Sequence, residues 1–314
     1  MRSLFVLVFV MLSFQSFSQN SFSKQVSLLT DNDLYTSTYR DRYYTNGLFV
    51  TLNTVSDAKN ERLEKKIHSY QIGHMMYTPR TVLLPYARTH DRPFAGYMYA
   101  EYGQSRVYTS QNILRMTLQV GLIGSNAKAK ELQNFIHRIY KYPEARGWEH
   151  QIHNAFAINV NTTYLKGLTK LRSSHFEVLR FNELKLGTVF TGISSGVYAR
   201  IGTKKLEKSS NSVAFNTNLN TQSTYSNPES FFHIKPLITY TAYDATIQGS
   251  MLNNSSPVTF DVMPFHFSLA LGYSYYYRRF QYGYTFHFHT KKLKSLRASK
   301  SNTYGSLYLG YYFN

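Results

Sequence analysis

The sequence predicts an all-β fold: a transmembrane antiparallel β-barrel of about twelve strands, with a short helix in an extracellular loop. Aromatic residues are abundant, with Tyr 28 and Phe 22 against one Trp, and many alternate with polar residues, as in GYSYYYRRFQYGYTFHFHT from Gly272 to Thr290. Period-two alternation marks strands with two different faces. The alternating segments run to about 10 to 14 residues, enough for a tilted strand to cross a bilayer and rise above it, where soluble sandwich strands are nearer 5 to 6. There is no cysteine, so some device other than disulfides must stabilise a chain of this length, and a closed sheet is a candidate.

The first residues address the chain. MRSLFVLVFVMLSFQSFSQ has one Arg, an apolar run from Leu4 to Leu12, then small and polar residues to Gln19. That order is a secretory signal peptide, too short to span a bilayer as a helix. We expect residues 1–19 to be a signal peptide and 20–314 to form an outer-membrane barrel. No later segment reaches the roughly 18 uninterrupted apolar residues of a membrane helix.

In chain order, the expected strands are 23–33, 43–54, 66–77, 95–109, 113–124, 154–166, 172–182, 187–201, 231–247, 262–276, 279–292 and 302–313. Twelve is an even number, as single-chain bacterial barrels require. Two connections break the pattern. Residues 125–141 have helical spacing, with Leu132, Phe135, Ile136 and Ile139 on one face. Residues 203–230, rich in Lys, Ser, Asn and Thr, read as a long polar loop on the periplasmic side, or as a missed strand pair. With odd strands running outward, TDND (Thr30 to Asp33), YYTNG (Tyr43 to Gly47), YTP (Tyr77 to Pro79), DRPFAGY and the segment carrying His137 all fall at the outer rim.

Asn32 and Asp33 offer an amide oxygen and a carboxylate side by side, and Asp31 a second carboxylate. Hard oxygens of this kind suit calcium, but Asp and Asn also recur wherever a strand turns. TNG reads equally as a glycine-containing bend. His137 alone reads as a structural or solvent-facing residue. Its place in an outward loop near the oxygen cluster suggests more. A neutral imidazole can take a proton from water while calcium polarises an ester carbonyl. His287 and His289, alternating with Phe286 and Phe288, are expected only to line one wall. No G-x-S-x-G elbow occurs.

The run DNDLY, YYTNGLF, MMYTP, DRPFAGYMY, GLIG, ELQNFIHRI and GWEHQIHN resembles, in order, the motifs of the outer-membrane lipid A 3'-O-deacylases. The resemblance covers residues 24 to 160 well, and the remainder only as barrel strands. It implies a twelve-stranded barrel that hydrolyses the 3'-linked acyl ester of lipid A, with Ca2+ as cofactor. By position, Asn32 and Asp33 match the family's metal-binding pair, Thr45 its Thr, and His137 its catalytic base. Glu131, Gln133, Asn134, Trp148, Gln151 and Asn154 match as support. Arg80 and Arg88 are candidates for the substrate-binding cation, and Glu144 is a further substrate-binding candidate. The family's acidic residue six positions after the His falls on Pro143, and its Gly-Pro after the fifth strand is Gly124-Ser125.

Lys+Arg 35 against Asp+Glu 17 gives a formal net charge of +18, which suits the phosphates of lipopolysaccharide. Nucleic acid is not expected as a partner, because the chain carries none of its recognition motifs. The chain is expected to act as a monomer, with its active site facing outward. The competing readings are a passive pore and a lipid-binding or structural barrel without catalysis.

Overall fold

A computed structural model describes residues 22–36, 42–58, 61–81, 83–221 and 227–314. The expected signal peptide lies outside them. The fold is the closed twelve-stranded antiparallel barrel that the alternation predicts. Its strands are β1 (Lys24–Asn32), β2 (Tyr43–Asp57), β3 (Leu63–Thr78), β4 (Ala95–Tyr108), β5 (Ile113–Ile123), β6 (Ala155–Arg172), β7 (Phe176–Gly187), β8 (Phe190–Gly202), β9 (Glu229–Asp244), β10 (Phe265–Tyr277), β11 (Phe280–Thr290) and β12 (Ser301–Phe313). Each strand pairs with its neighbours in sequence, and β1 closes on β12 from Lys24↔Phe313 to Asn32↔Gly305. No helix among the described residues is long and apolar enough to cross a membrane.

One hairpin lies several residues from its expected place. The strands expected at 154–166 and 172–182 are observed as β6 and β7, with Gly167 inside β6 and the turn at residues 173–175. The β6–β7 register shifts between Gly167 and Arg172, so the ladder is irregular there while the strand itself runs on to Arg172. A Cβ at Gly167 would meet nothing within 4 Å.

The alternation sorts the two faces. Leu28, Val50, Ile72, Met98, Leu118 and Ile158 project from successive strands and are exposed. They form an apolar girdle for lipid. Gln25, Gln71, Gln119 and Gln281 alternate with them and point into the lumen.

The chain termini and most short turns share one end of the barrel, and the long connections crowd the other. The connection between β8 and β9, the expected polar loop, adds no strand pair. It folds into the lumen at the terminal end. Lys65 Nζ donates to the carbonyls of Thr217 (2.7 Å) and Leu219 (3.1 Å), and Gln281 Nε2 donates to the carbonyl of Val213 (3.3 Å). Arg200, fully buried, bridges Glu177 (2.7 Å) and Glu229 (3.1 Å) and donates to Ser212 Oγ (2.5 Å). Val213 and Leu219 join Ile67, Phe231, Tyr276 and Tyr312 in an apolar cluster. The insertion is a plug: buried charge is paired and buried apolar area is covered.

At the opposite end, the β5–β6 connection carries α1 (Ala129–Tyr140), and the β9–β10 connection carries the short α2 (Ala245–Gln248).

Candidate functional site

The candidate residues lie on the outside of the barrel wall. In β2, Phe49 lines the lumen, while Leu48, Val50 and Leu52 are exposed outward. The β2–β3 ladder pairs Tyr44 with Tyr77 and Asn46 with Met76, so Thr45 is the extra residue of a bulge. Asn46 therefore continues the outward row. Asn32 pairs with Asn46, Thr30 with Leu48 and Leu28 with Val50, so Asn32 tops the outward row of β1. Met76 and its partner Gly96 carry the same rung onto β3 and β4. The rung Asn32–Asn46–Met76–Gly96 crosses four adjacent strands at roughly 4.8 Å spacing.

The helix covers one end of this rung. A Cβ on Gly96 would come within 2.6 Å of Ala129 Cβ and 3.2 Å of Ala127 Cβ, so only glycine lets the helix approach this closely. Met76 packs in a buried cluster with Phe94, Ala129, Ala145 and Trp148. The face of α1 turned to the wall is Ala129, Gln133 and His137, spaced at i and i+4. Of the apolar stripe, Leu132 packs against that cluster, whereas Phe135 and Ile139 are 54% and 62% exposed. Beside a lipid-facing wall, an outward apolar stripe meets acyl chains, so the polar face is the one that packs inward.

His137 is 3% exposed. Its Nδ1 lies 2.5 Å from the carbonyl oxygen of Pro143. A carbonyl only accepts, so Nδ1 carries the proton and Nε2 is the basic nitrogen. The ring also sits edge-on to Tyr142. Around it, Trp148 Nε1 donates to Gln133 Oε1 (2.7 Å), and the amide of Ala145 donates to Asn134 Oδ1 (3.3 Å). Ser125 Oγ accepts from Asn154 Nδ2 (2.8 Å), and the backbone amide of Asn126 donates to Asn154 Oδ1 (2.7 Å). Gln151 is buried, whereas Glu131 is exposed and pairs with Lys128 (3.3 Å).

Asn32 Oδ1 accepts from the amide of Leu34 (2.8 Å), and Asp33 Oδ2 accepts from the amide of Arg42 (2.6 Å). Thr45 Oγ1 lies 2.6 Å from Thr78 Oγ1, both hydroxyls buried. Asp31 does not join this group. It points into the lumen, accepting from Ser306 Oγ (2.6 Å) and Tyr44 OH (2.7 Å). The oxygens of Asn32, Asp33, Thr45 and Thr78 are hard donors suited to calcium. Among the described residues no group of three or more His, Cys, Asp or Glu is placed to hold a metal ion.

The β3–β4 connection ties the helix assembly to the barrel. Asp91 accepts from Tyr43 OH (2.9 Å) and from the amide of Arg80 (2.9 Å), while Phe94 packs at 4.8 Å on Trp148. His90 bonds the carbonyl of Leu84 (2.8 Å), and burial lowers its pKa. The side chains of Arg80 and Arg88 are exposed on this connection, and Arg88 stacks over Tyr86. Glu144 lines an outer cleft with Leu83, Lys130, Asn134, Pro143 and Arg146.

The lumen holds a separate cavity of about 610 Å³, which none of Asn32, Asp33, Thr45 or His137 lines. His287 and His289 line its wall, as their alternation suggests. Sequence reasoning passed over Arg92, whose guanidinium lies 4.6 Å above Tyr77 and donates to the carbonyl and Oγ1 of Thr246 (3.0 Å each). It also missed Thr78 and the outward setting of Asn32 and Asn46. That setting was readable from the period of two shared with Leu28 and Leu48.

The profile of the family described as outer membrane protein LpxR matches residues 4–313. No curated protein matches by sequence. Among solved structures, LpxR from Salmonella typhimurium superposes with a TM-score of 0.71 at 17% identity, covering 92% of this chain and 100% of that one. The β domain of the Bordetella autotransporter BrkA gives 0.48 at 8% identity, covering 93% and 99%. The NalP translocator domain from Neisseria meningitidis gives 0.41 at 8%, covering 99% and 94%. The first likeness supports the fold, and the profile match over nearly the whole length places the family: the chain belongs to the LpxR family of outer membrane proteins.

Proposed function

We propose that this protein is a lipid A deacylase that hydrolyses the 3'-linked acyl ester of lipopolysaccharide at the outer leaflet. The observation that carries the reading is His137. Its imidazole is held by the Pro143 carbonyl in the tautomer with a basic Nε2, on the helix face packed against the outer wall. There a membrane lipid can reach the site laterally, without leaving the bilayer. The long connections at the loop end face outward and both termini face the periplasm, as in other outer-membrane barrels.

His137 Nε2 takes the proton from the attacking water and returns it to the departing alkoxide, so no serine nucleophile is needed. Asn32 and Asp33 would hold calcium, with the Thr45 and Thr78 hydroxyls and backbone carbonyls able to contribute. When bound, the ion supplies Lewis-acid polarisation of the ester carbonyl. In this reading Thr45, whose hydroxyl lies outside the β2–β3 ladder at its bulge, donates toward the developing oxyanion. Phe135 and Ile139 on α1, with Tyr140 and Tyr142 after them, offer apolar surface to acyl chains.

The test is mass spectrometry of lipid A incubated with the purified protein in detergent and calcium. We expect loss of the 3' acyl substituent. Intact lipid A after prolonged incubation with folded protein, at several calcium concentrations, would refute catalysis.

A further inference from the structure

The lumen cavity gathers positive charge that the protein itself does not neutralise. Lys185, Lys235 and Lys292 line it with Arg92, His266 and His289, brought by β7, β9, the β11–β12 connection, the β3–β4 connection, β10 and β11. Three carboxylates line it too, and each is engaged. Asp31 accepts from Ser306 and Tyr44, Glu183 pairs with Lys185 at 3.3 Å, and Asp244 Oδ1 caps α2, accepting from the amide and hydroxyl of Thr246.

That leaves Lys235 and Lys292. Among the described residues neither has a carboxylate within ion-pair distance, and Lys235 Nζ rests 4.9 Å above the Phe181 ring. Burial pulls Lys292 down to about 8, against the attraction of Asp244. Buried polar nitrogens are left over as well. Arg92 is 5% exposed, and its buried Nε has no hydrogen-bond partner; nor have the buried Nδ1 atoms of His266 and His289. The charges of Lys185 and Lys292 act on both imidazoles. Cations and donors held this way, without partners, are costly unless something supplies the missing charge and acceptors.

We propose that the loop-end half of the lumen is an anion-binding site for a phosphate or phosphomonoester group, held by Lys292 and Arg92, with Lys185 shared between Glu183 and the anion and His266 and His289 as further donors. A tetrahedral dianion brings the missing charge and enough acceptor oxygens to meet donors converging from several strands. The volume is that of a small-molecule site. The plug closes the other end of the lumen, so such a group enters from the loop end. This site is distinct from the outer wall that carries His137, and its binding is read without turnover. Its failure would leave the deacylase reading untouched.

The experiment is 31P NMR line broadening and calorimetric titration of the full chain in detergent micelles, with inorganic phosphate and, separately, with glucosamine 1-phosphate. Lys292→Gln and Lys185→Gln are compared with Lys130→Gln, which changes a lysine of the outer cleft. Folding of each variant is checked by heat-modifiable electrophoretic mobility. Binding that falls at least tenfold in both lumen variants and is unchanged in Lys130→Gln supports the site. Glucosamine 1-phosphate binding tenfold tighter than phosphate identifies a saccharide headgroup as the source, and equal binding identifies free phosphate. No binding to the wild type, equal binding in the lumen variants, or a matching loss in Lys130→Gln overturns the proposal.

Discussion

His137 Nδ1 and the carbonyl oxygen of Pro143 stand 2.5 Å apart. In the enzymes this chain resembles, the position six residues after the histidine is acidic. Here it is proline, and the main chain takes over. A backbone carbonyl fixes the tautomer as a carboxylate would, but it brings no full negative charge to stabilise the imidazolium. Because the carbonyl belongs to the backbone, Pro143→Ala should keep the orientation and much of the activity. His137→Gln cannot act as a base and should insert normally, yet lose on the order of 10² to 10⁴ in rate. The neutral ring is the active form, so wild-type activity should rise with pH across the imidazole range. A His137→Gln variant that deacylates near the wild-type rate would remove the histidine from the mechanism.

Calcium is tested by removal. Asn32 and Asp33 supply too few oxygens to complete a shell of about six to eight, so other protein oxygens and water must contribute and affinity should be moderate. A chelator should abolish turnover, and added calcium should restore it. Asp33→Ala should weaken calcium binding measured by calorimetry, independently of activity. Turnover that persists in excess chelator would sink the calcium reading.

The strands were legible because each carries its own evidence: a period of two is local, and Leu28, Val50 or Ile72 announces its face without reference to any other strand. The orientation of α1 was not. Its stripe of Phe135 and Ile139 obeys a rule for water, where apolar faces turn inward, and this helix stands beside lipid. The plug was invisible for a different reason. The described residues of this connection, 203–221, are polar because they fill a polar lumen, and their composition matches that of a solvated loop. Of the site, Asn32, Asp33, Thr45 and His137 were found as residue types. The outward setting of Asn32 follows from the period it shares with Leu28, but that of Thr45 depends on a bulge that no composition reveals.

The plug can be loosened at one residue. Replacing Arg200 with Met leaves Glu229 buried without its cation and Glu177 with only Arg172 at 3.8 Å, a change that costs about 3–5 kcal/mol in comparable settings. The midpoint of denaturant unfolding should fall accordingly. In planar bilayers the wild type should show no steady conductance, and Arg200→Met should show intermittent openings. A steady open channel in the wild type would favour the pore reading.

Orientation is read by proteolysis. Protease added to intact cells should cut the exposed parts of the 124–154 connection, where Lys128, Lys130 and Arg138 lie on the surface. It should spare the plug and a tag on the C-terminus. Cleavage of the tag with the loop-end connections intact would reverse the assignment.

The closest contact between helix and wall gives the sharpest separation of folding from function. Gly96 lies under Ala127 and Ala129, and a side chain there must push the helix outward. Gly96→Val puts a β-branched residue on a strand, which the sheet itself accepts, so the barrel should still close. The displaced helix carries His137 away from Asn32 and Asp33. A misplacement of about 1 Å can cost on the order of 10² in rate. Gly167→Val is the control: the same substitution, also in a strand, where the new side chain meets open space. Both variants should show heat-modifiable mobility, and only Gly96→Val should lose deacylation. Equal activities in the two would mean that the seat of the helix on the wall does not position the chemistry.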